Sequence, residues 1–138
     1  MVDIRVKELL YAEQERRRGM LVPKIDEYWE KIKDKAQFLI CCDKEVCKGF
    51  IAYYSNTSTK KAYITMVVVD PSFRGKGIGK GLVSFVLHIA KCSGFSICEL
   101  EVLEGNIKAY RLYYSLGFRP LTSLMSKDRS RILMEILL

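Results

Sequence analysis

The sequence predicts a mixed α/β fold in a single domain spanning residues 1–138. Three observations carry that expectation. The length, 138 residues, is that of one ordinary domain. The composition, 49% apolar with 28% charged residues, is enough for a real core and excludes disorder and low complexity. Helix-period and strand-period segments alternate, and the second half carries two strand–loop–helix passages.

In order along the chain, Val2, Ile4 and Val6 alternate and predict a short opening strand. Lys7 to Arg18 sets Leu9, Leu10 and Ala12 among charges, the pattern of an amphipathic helix. Pro23 and Asp26 open a second helix through Tyr28, Trp29 and Ile32. Ala36–Cys42 and Val46–Tyr54 read as a hairpin about the turn Asp43-Lys44-Glu45. Ser55–Lys61 is a polar loop, and Ala62–Val69, apolar and β-branched, is a buried strand. Gly77–Lys91 is a helix apolar nearly all round. Ser96–Leu103 is a further strand. Asn106 caps a helix that ends at Leu116–Gly117. Phe118–Met125 and Arg131–Leu138 close the order as a strand pair.

Charge and cysteine usage narrow the function. Twenty-three basic against 16 acidic residues leave a formal charge of +7, which favours an anionic partner. The basic residues are scattered, and the densest run, Arg16-Arg17-Arg18, reads as a solvated helix face, so no nucleic-acid partner is expected. Cys41, Cys42, Cys47, Cys92 and Cys98 form no CxxC pair, and the chain has one histidine, His88. That spacing supplies no metal site and points to buried free thiols in a reducing compartment. The N-terminus lacks the order of a secretory signal, and no apolar run approaches ~20 residues. A cytoplasmic protein with no membrane partner is the expectation.

The sharpest motif is Val69-Asp70-Pro71-Ser72-Phe73-Arg74-Gly75-Lys76-Gly77-Ile78-Gly79. A strand feeds a loop with three glycines in five residues, and the loop feeds a helix. Glycine accepts positive φ and has no side chain to block an approaching group. Inward amides and the positive helix end make a pyrophosphate site. Arg74, Lys76 and Lys80 add mobile positive charge. A Walker loop fails because Gly79-Lys80 is followed by Gly81, and no G-x-G-x-x-G can be drawn.

What fits is R-x-x-G-x-G, from Arg74 to Gly79, after a V-x-P strand end. A second signature follows: Glu101-Val102-Leu103-Glu104-Gly105-Asn106, then Ala109, then Leu112-Tyr113-Tyr114-Ser115-Leu116-Gly117-Phe118. Together, from Gly49 to Pro120, these resemble the GNAT superfamily of N-acetyltransferases. The resemblance implies a central, mostly antiparallel, twisted sheet flanked by helices, with a splayed strand pair that binds coenzyme A. It implies acetyl transfer from acetyl-CoA to an amine, a small molecule or a protein amine, by direct attack in a ternary complex. No metal is required, and homodimers are common in the family.

The resemblance also assigns roles. The loop residues Arg74, Gly75, Lys76, Gly77, Ile78, Gly79 and Lys80 would hold the pyrophosphate. Amides of Val67 and Val69 would pair with the pantetheine arm, and Asn106 and Tyr110 share a helical stripe with Tyr113 that faces the cofactor. Tyr113 stands at the family's general acid, a phenol protonated at neutral pH. For the base, Tyr63–Val69 offers no carboxylate. Glu101, twelve residues before Tyr113, matches the strand glutamate of the ribosomal-protein alanine acetyltransferases; Glu99 on the same face and a water relay are the alternatives. Cys98 faces the other way, which disfavours an acetyl-cysteine route. Two rival classes stand beside the enzyme: a non-catalytic acyl-CoA-binding domain of the same fold, and a nucleic-acid binder suggested only by net charge.

Overall fold

The computed structural model describes residues 3–125 and 131–138. The elements are α1 (Ile4–Arg16), α2 (Ile25–Lys35), β1 (Gln37–Asp43), β2 (Val46–Asn56), β3 (Lys61–Val69), α3 (Ile78–Cys92), β4 (Ile97–Leu103), α4 (Ile107–Leu116), β5 (Arg119–Met125) and β6 (Arg131–Leu137). The hydrogen-bonded strand order is β1-β2-β3-β4-β6-β5, a six-stranded mixed sheet. The chain forms two compact units, Met1–Tyr54 with Met66–Leu82 and Ser55–Thr65 with Val83–Leu138, so β3 contributes to both.

The first unit opens with a correction. Ile4 and Val6 lie in a helix, not a strand; Val2 lies outside the described residues. The Asp3 carboxylate accepts the Arg5 amide at 2.9 Å and caps α1. Val6, Leu9, Leu10 and Glu13 then fall at helical spacing on the buried face. Three alternating β-branched letters cannot compete with that longer stripe. Burial of Val6, Leu10, Ile32 and Phe50 is complete, each such side chain contributing about 1.5–3 kcal/mol of transfer free energy. Trp29 and Phe38 meet edge-on at 6.5 Å, and Phe38 continues to Phe50 at 6.1 Å. Trp29 is thus a core residue. β1 and β2 pair antiparallel from Gln37↔Tyr53 to Asp43↔Val46, around Lys44 in the left-handed region.

The second unit is centred on β4. Its parallel ladder with β3 runs from Lys61↔Ile97 to Ile64↔Leu100, and its antiparallel ladder with β6 from Ile97↔Leu137 to Leu103↔Arg131. Strand alternation buries Cys98, Leu100 and Val102 and leaves Ile97, Glu99, Glu101 and Leu103 half-exposed. Met134, Phe118, Val83, Val86 and Ala90 are buried as well, as are Ala62, Ile64 and Phe95. α3 is less buried than its composition suggests: Phe85 is 57% exposed, and Ser84 and His88 face solvent. The thiols differ likewise from expectation. All five are free, but only Cys98 is buried, and Cys42 and Cys92 are exposed.

Candidate functional site

In the first unit, the strand end of β3 becomes a loop through a short set of backbone bonds. The Asp70 amide donates to the Lys48 carbonyl at 2.8 Å, and the Asp70 carboxylate accepts the Ser72 amide at 2.9 Å. One 3-10 turn follows, Pro71–Phe73. The chain then passes Gly75 at φ +77° and Gly77 at φ +81°, angles that a side-chain-bearing residue adopts only with strain. A Cβ at either glycine would meet nothing within 4 Å, so backbone angle rather than space selects glycine there.

The first bond of α3 is the Gly81 amide to the Gly77 carbonyl, at 2.9 Å. The amides of Ile78, Gly79 and Lys80 precede it, and a helix leaves such groups without an intrahelical acceptor. Gly77 has no side chain to cap them, and no acidic residue stands in the first turn. An anion is the natural partner of such an end. Lys80 is exposed beside it. The ammonium groups of Lys48 and Lys76 stand over the Phe73 ring, 5.3 and 5.6 Å from its centre. Phe73 therefore gathers two cations at the loop.

Arg74 is anchored, not mobile. Its Nε donates to the Val69 carbonyl at 3.1 Å and its Nη2 to the Glu13 carboxylate at 2.7 Å. Glu13 is 4% exposed and is the one buried charged residue among those described. It also takes Arg16 at 2.9 Å and Arg17 at 2.8 Å. Burial alone would raise its pKa; hydrogen bonds from Arg17 and Arg16 and the charge of Arg74 outweigh that and hold it below the usual range. The Arg16–Arg18 run is thus only partly a solvated face. The i+3 and i+4 spacing to Glu13 was visible in the letters; the partner in the loop was not.

Val67 and Val69 lie on this unit's part of β3, alternating with buried Val68. Elsewhere in the unit, a groove of about 460 Å³ is lined by Gln14, Gly19, Val22, Pro23 and the start of α2.

The second unit holds Glu101, Asn106, Tyr110 and Tyr113. The Asn106 side-chain oxygen accepts the Ala109 amide at 3.2 Å and caps α4. Tyr113 is half-buried and meets the buried Phe118 edge-on, with ring centres 5.9 Å apart. Burial pushes its phenol up to about 12. Tyr110 stacks on Tyr114 at 6.1 Å, and the Arg119 guanidinium covers Tyr114 at 3.7 Å. Tyr114 is therefore bound into a surface stack.

On β4, Glu99 and Glu101 share the half-exposed face. Glu99 stands opposite Glu135 and is met by Lys61 at 3.5 Å. Glu101 stands opposite Leu133 and has no ion pair among the described residues. Cys98 faces the interior, and burial raises its thiol to about 12, which makes it a poor nucleophile. His88 contacts the exposed Cys92 at 3.6 Å.

Relatives give this arrangement a context. The model of the Acetyltransferase (GNAT) family matches residues 4–118. Thialysine N-epsilon-acetyltransferase of Sus scrofa is 39% identical over 69 residues, covering 50% of this chain and 41% of that protein. N-acetylaspartate synthetase of Homo sapiens is 32% identical over 95 residues, covering 69% of this chain and 31% of that one. The chain thus spans less than half the length of these curated relatives. Among solved structures, PaiA N-acetyltransferase of Thermoplasma acidophilum, in complex with coenzyme A, superposes with a TM-score of 0.75 at 23% identity over 99% of this chain and 96% of that one. A Bacillus subtilis acetyltransferase in complex with CoA gives 0.78 at 16% identity over 100% and 94%. Both solved structures share the fold, and among the described residues no helix is long and apolar enough to cross a membrane. With a family match that runs from α1 through the glycine loop to the end of α4, the chain belongs to the acetyltransferase (GNAT) family.

Proposed function

We propose that the chain, as one domain, transfers an acetyl group from acetyl-CoA to a primary amine by direct attack. The observation that carries this is the open N-terminus of α3: three amides ahead of the first helical bond, two positive-φ glycines and flanking lysines. These residues fit a pyrophosphate, since nothing fills the space above Gly75, Gly77 or Gly81. Acetyl-CoA would supply a thioester, whose carbonyl carbon accepts the amine.

The remaining chemistry is proton traffic. The amine must be neutral to attack, and Glu101, without an ion pair among the described residues, is the first candidate to take its proton, directly or through water. Glu99 is less suited, since Lys61 faces it. Tyr113 would serve the departing sulfur. Its phenol, at about 12, stays protonated throughout the working range. A thiolate of ordinary pKa ~8.5 is a weaker base than that phenolate, so the hydroxyl stabilises it chiefly as a hydrogen-bond donor. The same burial that raises the phenol strengthens such a bond.

Two measurements test the reading. Acetyl-CoA at 100 times its dissociation constant should add about 2.7 kcal/mol of stability, several degrees in Tm, with ADP giving less. No shift at millimolar acetyl-CoA removes the cofactor assignment. Tyr113→Phe should lower kcat ~100-fold and leave acetyl-CoA binding intact. Unchanged kcat takes Tyr113 out of the mechanism, and an absence of wild-type turnover with all amines alongside tight acetyl-CoA binding favours the non-catalytic acyl-CoA-binding domain.

A further inference from the structure

We propose that Glu13 is a positioning residue for the phosphate loop, and that Arg74 is a strut of that loop rather than a phosphate ligand. The inference rests on the loop binding acetyl-CoA.

The physical reason begins with Glu13. A carboxylate with a side chain only 5% exposed loses most of its hydration and must be repaid by donors. The end of its own helix provides two, Arg16 and Arg17, three and four residues further on. The third, Arg74, comes from 61 residues away, and Arg74 is the first letter of the glycine motif. Its guanidinium is held at two nitrogens, by Glu13 and by the Val69 carbonyl at the end of β3. The planar fork thus ties strand end, loop and α1 together at one point. With the Asp70 amide on Lys48, the start of the loop is fixed before a ligand arrives.

Such fixing matters because the proposed ligand is held by backbone amides. If Gly75–Gly79 had to be ordered on binding, that ordering would subtract from affinity. If Arg74 instead turned to a phosphate, a buried carboxylate would lose one of its three cations. The geometry therefore leaves phosphate neutralisation to Lys76, Lys80 and the α3 amides.

The two roles for Arg74 predict different outcomes for one substitution. Glu13→Gln removes the anchor and keeps the shape. Under the strut role, KM for acetyl-CoA rises ~10-fold with kcat within about twofold, the loss of one charge-assisted contact. Under a ligand role, the released Arg74 leaves KM unchanged or lower, and that result overturns the proposal. The double variant Glu13→Gln/Arg74→Gln should be no weaker than Arg74→Gln alone, because both act through one contact. Additive losses also overturn it. Arg17→Ala, which removes a different cation from the same carboxylate, should lower Tm but hold KM within about twofold. An equal rise in KM there assigns Glu13 a general structural role instead.

Should Glu13→Gln fail to fold, Arg74→Gln decides the matter through salt. Loss of a strut leaves the salt dependence of acetyl-CoA binding unchanged, whereas loss of a phosphate contact flattens it. Wild-type protein titrated with acetyl-CoA separates the two levels. No wild-type binding sinks the functional reading and this inference with it; wild-type binding that Glu13→Gln preserves sinks this inference alone.

Discussion

The chain passes twice from strand through loop to a helix, and the two passages treat the new helix end differently. At α4, Asn106 folds its side-chain oxygen back onto the Ala109 amide, so the helix closes its own N-terminus. At α3, the corresponding position is Gly77, which has no side chain to fold back onto the first amides. A third helix sharpens the contrast. α2 also lacks a side-chain cap, but Asp26 and Glu27 stand in its first turn and would repel an anion. An anion site at a helix end thus needs two things, a missing cap and a missing carboxylate. Among α1, α2, α3 and α4, α3 meets both conditions.

The contrast is broken most severely at Gly77. Gly77→Val places a β-branched residue at φ +81° and forces the loop from its course. About 1–3 kcal/mol of strain is expected, read as a rise in acetyl-CoA KM approaching 100-fold, with far-UV circular dichroism unchanged. A KM within threefold of wild type shows that the glycine angle is not needed.

Acid should reach the α1 anchor next. Glu13 titrates below its unfolded value, so its contribution to stability is present above the unfolded carboxylate pKa of ~4.3 and is lost as pH falls through the folded value. Denaturant midpoints measured between pH 6 and pH 3 should fall, and Glu13→Gln should flatten the part of that slope below pH ~4.3. An identical slope in the variant refutes the assignment.

A smaller effect tests the closed helix end. Asn106→Ala should cost about 1 kcal/mol in urea unfolding, and Asn106→Asp should recover most of it. The smallest effect belongs to the exposed lysine beside the open end. Lys80→Ala should weaken acetyl-CoA ~2–5-fold at low ionic strength and less at 0.5 M salt. A loss independent of salt would mean that Lys80 acts through packing.

How much of this could be read from the letters follows from the range of each interaction. Both strand–loop–helix passages were legible because glycine angles, caps and alternation are local. Asn106 and Gly117 bound α4 as expected, and the alternation that sets Cys98 on the face opposite Glu99 and Glu101 was visible directly. The opening strand failed because three alternating residues carry less information than the stripe Val6, Leu9, Leu10 and Glu13. The state of Arg74 was beyond reach for another reason. A side chain meeting its partner 61 residues away leaves no periodic trace in one sequence. The anchoring of Arg74 therefore had to come from structure, while the loop itself did not.

The division of β3 has a consequence for synthesis. Every residue of the first unit has been made once Leu82 has been added, whereas Lys61–Ile64 must wait for Ile97–Leu100 before its parallel ladder can form. For that interval a short apolar strand stands on the nascent chain without its β4 neighbour, the kind of segment through which chains stick to one another. Lys60 precedes it directly, and Lys61 is its first residue. Charges at the entry of an apolar strand are of the kind that disfavour pairing between copies while an edge is open.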